Sequence, residues 1–131
     1  MWRIKAAFSS AFTVILYWLG GWDISLQALT ILIVLDFITG VAKAGYTSTL
    51  NSETGLKGIY KKIALFALVA VSVAIDKITG NSGMIRTLVI YYMAANEGLS
   101  ILENLGAVGV KIPEFLKSRL EQLKEGENND C

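Results

Sequence analysis

Apolar residues gather in four stretches, roughly Ala6–Leu19, Ile24–Val41, Ile63–Ile75 and Leu88–Leu102, with short polar or glycine-rich connections between most of them. A membrane-crossing helix needs about 20 residues. The first stretch reaches that length over about 4–22, with Ser9, Ser10 and Thr13 on one side and Tyr17, Trp18 and Trp22 where an interfacial aromatic belt would lie. It predicts a helix that either crosses the membrane or rests in its surface as an amphipathic segment. Gly20-Gly21-Trp22-Asp23 predicts a tight turn into a second helix over about 24–42. A third helix, about 60–78, is long enough to cross if Lys61 and Lys62 snorkel to one interface while Asp76 and Lys77 mark the other. Gly80-Asn81-Ser82-Gly83 predicts the next turn, and a fourth helix follows over about 84–103. Gly106 and Gly109 punctuate its end, and Pro113 sits where a helix can start. Ile112, Phe115, Leu116, Leu120 and Leu123 then line one side of a polar-faced helix within 107–125, and 126–131 read as a disordered tail.

The expected fold is therefore all-α and integral to a membrane. Residues 1–106 form a small bundle of four transmembrane helices, or three plus one interfacial, followed by a cytoplasmic amphipathic helix. Composition agrees: 53% of residues are hydrophobic and 18% charged, against about 45–50% and about 25% in soluble domains. There is no histidine, which excludes imidazole bases, Ser-His and Cys-His nucleophile pairs and His-based metal sites. The sole cysteine, Cys131, excludes an internal disulfide framework. A net charge of +1 makes no case for nucleic acid. No catalytic residue, cofactor site or metal site is expected. The basic N-terminus is followed by no clean small-x-small cleavage site and reads as a retained first helix.

Basic residues set the expected orientation. Arg3 and Lys5 lie at the start, Lys43, Lys57, Lys61 and Lys62 in the central connection, and Lys111, Lys117, Arg119 and Lys124 in the tail. Only Lys77 and Arg86 fall on the other side. That bias places both termini and the central connection in the cytoplasm of a multi-pass protein.

Asp36 and Glu97 interrupt otherwise apolar stretches, where a charge is costly and marks a function or a partner. Each lies roughly 10 Å inside the expected cytoplasmic interface. Two carboxylates at one depth cannot both ionise cheaply, so one takes a proton or an ammonium of Lys43, Lys61 or Lys62 reaches in. With Asn96, Ser100 and Asn104 they form either a polar layer facing a lumen between subunits or groups that snorkel to the near interface. Gly40 and Ala44, the stripe Ala67, Ala70 and Ala74, and the pair Ala94 and Gly98 provide small faces for close helix contact. These serve packing within one chain or, in such small helices, association of copies into a homo-oligomer. The central connection, Lys43–Lys62, is expected to form fixed turns at its glycines and lacks the spacing of a phosphate-binding loop.

Three blocks resemble a known family. Leu35-Asp36-Phe37-Ile38-Thr39-Gly40-Val41, then Leu50-Asn51-Ser52 through Gly58 with Lys61-Lys62, then Ala95–Asn104 with Gly109 and Ile112-Pro113, are similar in order and spacing to the toxin-secretion/phage-lysis holins. The resemblance covers about 31–123. It departs in the acidic tail, where many holins are very basic, and in having no second methionine before Met84. It implies a phage-encoded protein of the bacterial cytoplasmic membrane that self-assembles into lesions, depolarises the cell and lets an endolysin, or a toxin, out. The endolysin would be a functional partner without direct contact, an antiholin a possible regulator, and the lipid bilayer and sister copies the physical partners. Two other classes remain open: an antiholin or membrane adaptor, and a small proton-coupled multidrug-type transporter. The latter usually carries its carboxylate in the first helix, which here has none.

Overall fold

The structure, a computed structural model, describes residues 1–125 as five helices: α1 Trp2–Trp18, α2 Ile24–Tyr46, α3 Ser52–Thr79, α4 Met84–Ala107 and α5 Glu114–Glu125. The expected tail, 126–131 with Cys131, lies outside the described residues.

Local chemistry sets each boundary. Helix α1 stops four residues short of the expected end because Gly20 and Gly21 turn the chain at φ +85° and +100°. Asp23 then caps α2, its Oδ1 accepting from the Leu26 N–H at 3.0 Å. Helix α3 begins eight residues earlier than the expected residue 60. Asn51 caps it, accepting from the N–H groups of Glu53 at 2.9 Å and Thr54 at 3.4 Å. An exposed Lys57–Glu53 pair at 3.5 Å adds i,i+4 support across the glycine-containing first turns. Much of the supposed central loop is thus helix. Gly80, at φ +73°, ends α3. Helix α4 starts after a left-handed Gly83 with no side-chain cap of its own.

Helices α2 and α4 share the largest interface, α3 packs mainly on α4 and less on α2, α1 touches only α3, and α5 touches only α4. The core is narrow: Leu26, Leu29 and Ile33 of α2 meet Val69 of α3 and Ile90 and Met93 of α4, with Leu19 closing one end. Outside it the helices remain apolar. Ile31, Val34 and Ile38 of α2, Ile63, Leu68 and Val71 of α3, and Phe8 and Phe12 of α1 are all exposed. Helices α2 and α3 are long and apolar enough to cross a membrane, yet only 22% and 17% of their most apolar stretches are buried. A core helix of a soluble protein is hydrophobic all round because protein surrounds it; these are hydrophobic all round without that cover. Among lipid tails apolar burial between helices gains little, so packing and polar contacts must specify the bundle.

Candidate functional site

Two polar clusters do that specifying, one at mid-bundle and one at the end that carries the α1–α2 and α3–α4 turns. At mid-bundle, Lys62 of α3 donates from Nζ to Asp36 Oδ2 of α2 at 2.6 Å and to Glu97 Oε2 of α4 at 2.9 Å. The three side chains are 19%, 9% and 13% exposed, respectively. Asn104, two turns beyond Glu97 on α4, donates from Nδ2 to Asp36 Oδ1 at 3.1 Å, to the Asp36 carbonyl at 3.3 Å and to Thr39 Oγ1 at 3.0 Å. One ammonium thus holds three helices together, and it serves two carboxylates. With all three ionised the cluster carries one uncompensated negative charge.

Asp36, Lys62 and Asn104 of the cluster line a cavity of about 290 Å³, together with Gly40 and Ala44 of α2, Gly55 and Gly58 of α3, and Ser100 of α4. Small residues leave that space open. A Cβ on Gly40 would come within 3.6 Å of Asn104 Nδ2, an ordinary contact, so this glycine widens the cavity without being forced by it.

The second cluster centres on Arg86 at the start of α4. Its Nη1 and Nη2 donate to Asp23 Oδ2 and Oδ1 at 2.7 and 3.0 Å, its Nε to the Leu19 carbonyl at 2.7 Å, and Nη2 also to the Gly21 carbonyl at 3.2 Å. Asp76, from the last turns of α3, accepts from the N–H groups of Ile85 and Arg86, both at 2.9 Å. It supplies the cap that Gly83 cannot, placing a carboxylate against the positive end of α4. The guanidinium beside Asp23 holds that carboxyl below its ordinary 3.8, with the Leu26 N–H assisting and burial opposing. A Cβ on Gly20 would lie 2.6 Å from Arg86 Nε, so both its φ of +85° and the guanidinium demand glycine there.

The structure brings Asp36, Glu97 and Asn104 together, with Ser100 beside them in the cavity wall. Asn96 is half-buried and stands outside this bonded cluster. Of the lysines offered by the sequence, Lys62 is the one that reaches in, while Lys43 and Lys61 stay exposed, as do Arg3, Lys5 and Lys57. Ala94 and Ala70 pack against the core, whereas Ala67 and Ala74 are exposed. Gly98 is buried under Leu120 of α5. The sequence marks Asp23 as part of a turn and Asp76 and Arg86 as interface charges, but not as a bonded cluster. The available signal was their position, each within four residues of a glycine turn at one end of the bundle. Among the described residues no group of three His, Cys, Asp or Glu side chains could hold a metal.

Comparison with known proteins identifies the family. Residues 13–125 match the model of the bacteriophage holin family. An uncharacterized 14.9 kDa protein of Clostridium perfringens is 44% identical over 121 residues, 92% of each chain. An uncharacterized protein of Listeria monocytogenes is 41% identical over 116 residues, 87% of this chain and 83% of that one. A protein of Bacillus phage phi105 named "Probable holin" is 38% identical over 99 residues, 76% of this chain and 73% of that one. No solved structure matches the chain. With the family model spanning both polar clusters and most of the chain, this chain belongs to the bacteriophage holin family.

Proposed function

We propose that the chain is a holin that accumulates in the bacterial cytoplasmic membrane as a four-span bundle with both termini inside, then self-assembles into lesions. The lesions depolarise the cell and let an endolysin, or an exported toxin, pass. The observation that carries this reading is the Lys62 cluster, three charged side chains closed inside a narrow bundle whose outer surface is apolar. In the isolated subunit the two carboxylates share one ammonium away from lipid. Breaking such a pair in a low-dielectric interior is costly, whereas in water an ion pair is worth only about 0–1 kcal/mol. Once crowded subunits exchange helix partners around a wetted centre, opening the cluster costs little and the hydrated charges then favour the open form. The change is cooperative because the first subunits to open lack the water that later ones find.

Controlled expression in a bacterium, with and without a co-expressed muralytic enzyme, tests this. The expected result is abrupt loss of membrane potential, with lysis only when the enzyme is present. Expression that leaves the potential intact would overturn the reading, as would lysis delayed rather than caused by this chain beside another holin.

A further inference from the structure

Helix α5 returns along α4. Glu114 and Lys117 lie by Leu99, Leu102 and Glu103 around one small cavity, and Leu120 reaches Gly98, so the two helices run antiparallel. The approach is close: a Cβ on Gly98 would stand 2.9 Å from Leu120 Cδ2. Five more residues carry α5 to Glu125, about 7.5 Å further and level with Met93. Docked there, Lys117, Arg119, Glu121, Lys124 and Glu125 flank α4 over half its length.

This seat conflicts with immersion. Free of those charges, α4 offers Met84 to about Tyr92, roughly 14 Å, where the hydrocarbon core is about 30 Å thick. Helix α4 is 24 residues long and reaches across only if α5 is elsewhere. The pattern of α5 says where. At 100° per residue, Phe115, Leu123, Leu116 and Leu120 share one arc with Arg119 among them, Lys124 and Lys117 lie on one border, and Glu114, Glu121 and Glu125 occupy the opposite pole. That is the layout of a helix lying in a phospholipid interface, with the lysines and a snorkelling Arg119 at headgroup level and the acids toward water. On α4 this arc is only partly used, since Phe115 stays 67% exposed and Leu116 and Leu123 stay over two-fifths exposed.

We propose that α5 has two mutually exclusive seats, the Gly98 face of α4 and the phospholipid surface, and that transfer to the lipid allows α4 to be immersed along its length. Transfer bares Gly98 of α4, a point of close approach open to a second copy. The inference rests on the reading of the chain as a membrane-spanning holin.

The test uses the full chain with Cys131→Ser. A Gly98→Cys/Leu120→Cys pair is oxidised in detergent before reconstitution, holding α5 on α4, and compared with the same protein reduced. The locked chain is expected to leave vesicles of phosphatidylglycerol and phosphatidylethanolamine sealed, and reduction to restore leakage. Leakage from locked and reduced chains at the same rate would overturn the proposal. A second variant, Phe115→Cys carrying an environment-sensitive fluorophore, reports the lipid seat. Quenching by a bilayer-embedded quencher is expected, and no quenching in any vesicle would overturn it. If the reduced and unmodified chains also fail to leak while Phe115 is quenched, the holin reading fails and the lipid seat stands.

Discussion

The two polar clusters have the same charge count, two carboxylates and one cation, and solve it differently. At the turn end, Asp76 is met by two backbone N–H groups at the start of α4, so Arg86 is free to grip Asp23 with both prongs. Every charge there has its own partner, and Asp23 is half open to solvent. At mid-bundle, Asp36 and Glu97 divide a single Lys62, and among the described residues the donors to these carboxylates are side chains. Arginine's fork fixes geometry, whereas a lysine is a point charge on a flexible stem. One cluster is a clamp and the other a shared, under-compensated bond. Composition alone does not distinguish a fully partnered ion cluster from an under-compensated one; the supply of other donors does.

The largest effect expected from breaking this comparison is at Lys62. Lys62→Met leaves two partly buried carboxylates unpaired and should cost about 3–5 kcal/mol, read as loss of the folded, membrane-inserted form in a reversible unfolding assay in bilayers or mild detergent. Arg86→Lys keeps the charge but not the fork, and should cost about 2 kcal/mol through weakened charge-assisted bonds. Its signature is protease cleavage at the α1–α2 turn with the rest of the bundle intact. Gly20→Ala should act through the same clamp, by strain at positive φ and displacement of Arg86, at about 1–2 kcal/mol. If Arg86→Lys instead disrupts insertion as thoroughly as Lys62→Met, the contrast between clamp and shared bond is wrong.

The smallest effect is acid sensitivity of the clamp. Asp23 has its carboxyl held below 3.8 by Arg86, so its contribution is present above that value and fades as pH falls through the lower, folded-state one. Protease resistance of the α1–α2 turn should therefore be flat from neutral pH to about 4 and decline only in stronger acid. A decline already at pH 5–6 would contradict the assignment.

The sequence shows part of this. Asp36 and Glu97 stand out because a charge in an apolar run is rare and needs a reason, and Asn104 falls on the same stripe. Lys62 was legible only as one of three reachable amines, since choosing among them requires the rotation of α3 about its axis. Asp23, Asp76 and Arg86 were hidden by their setting: charged residues beside turns look like interface punctuation, and their pairing spans 63 residues in one case. At the start of α3, Gly55 and Gly58 disfavour helix and point to turns. The Asn51 cap and the Lys57–Glu53 pair offset that disfavour. Amphipathicity revealed that α5 has an apolar face but not that Gly98 would receive it.

The central claim is that the mid-bundle carboxylates serve opening rather than folding. Charge count makes this separable, because removing either carboxylate leaves Lys62 in a one-to-one pair with the other, which keeps the closed bundle satisfied. The most direct test follows membrane potential in cells expressing Asp36→Leu or Glu97→Leu at matched levels of inserted protein. The account predicts normal insertion with depolarisation late or absent. Insertion lost, or depolarisation on the unmodified schedule, would contradict it.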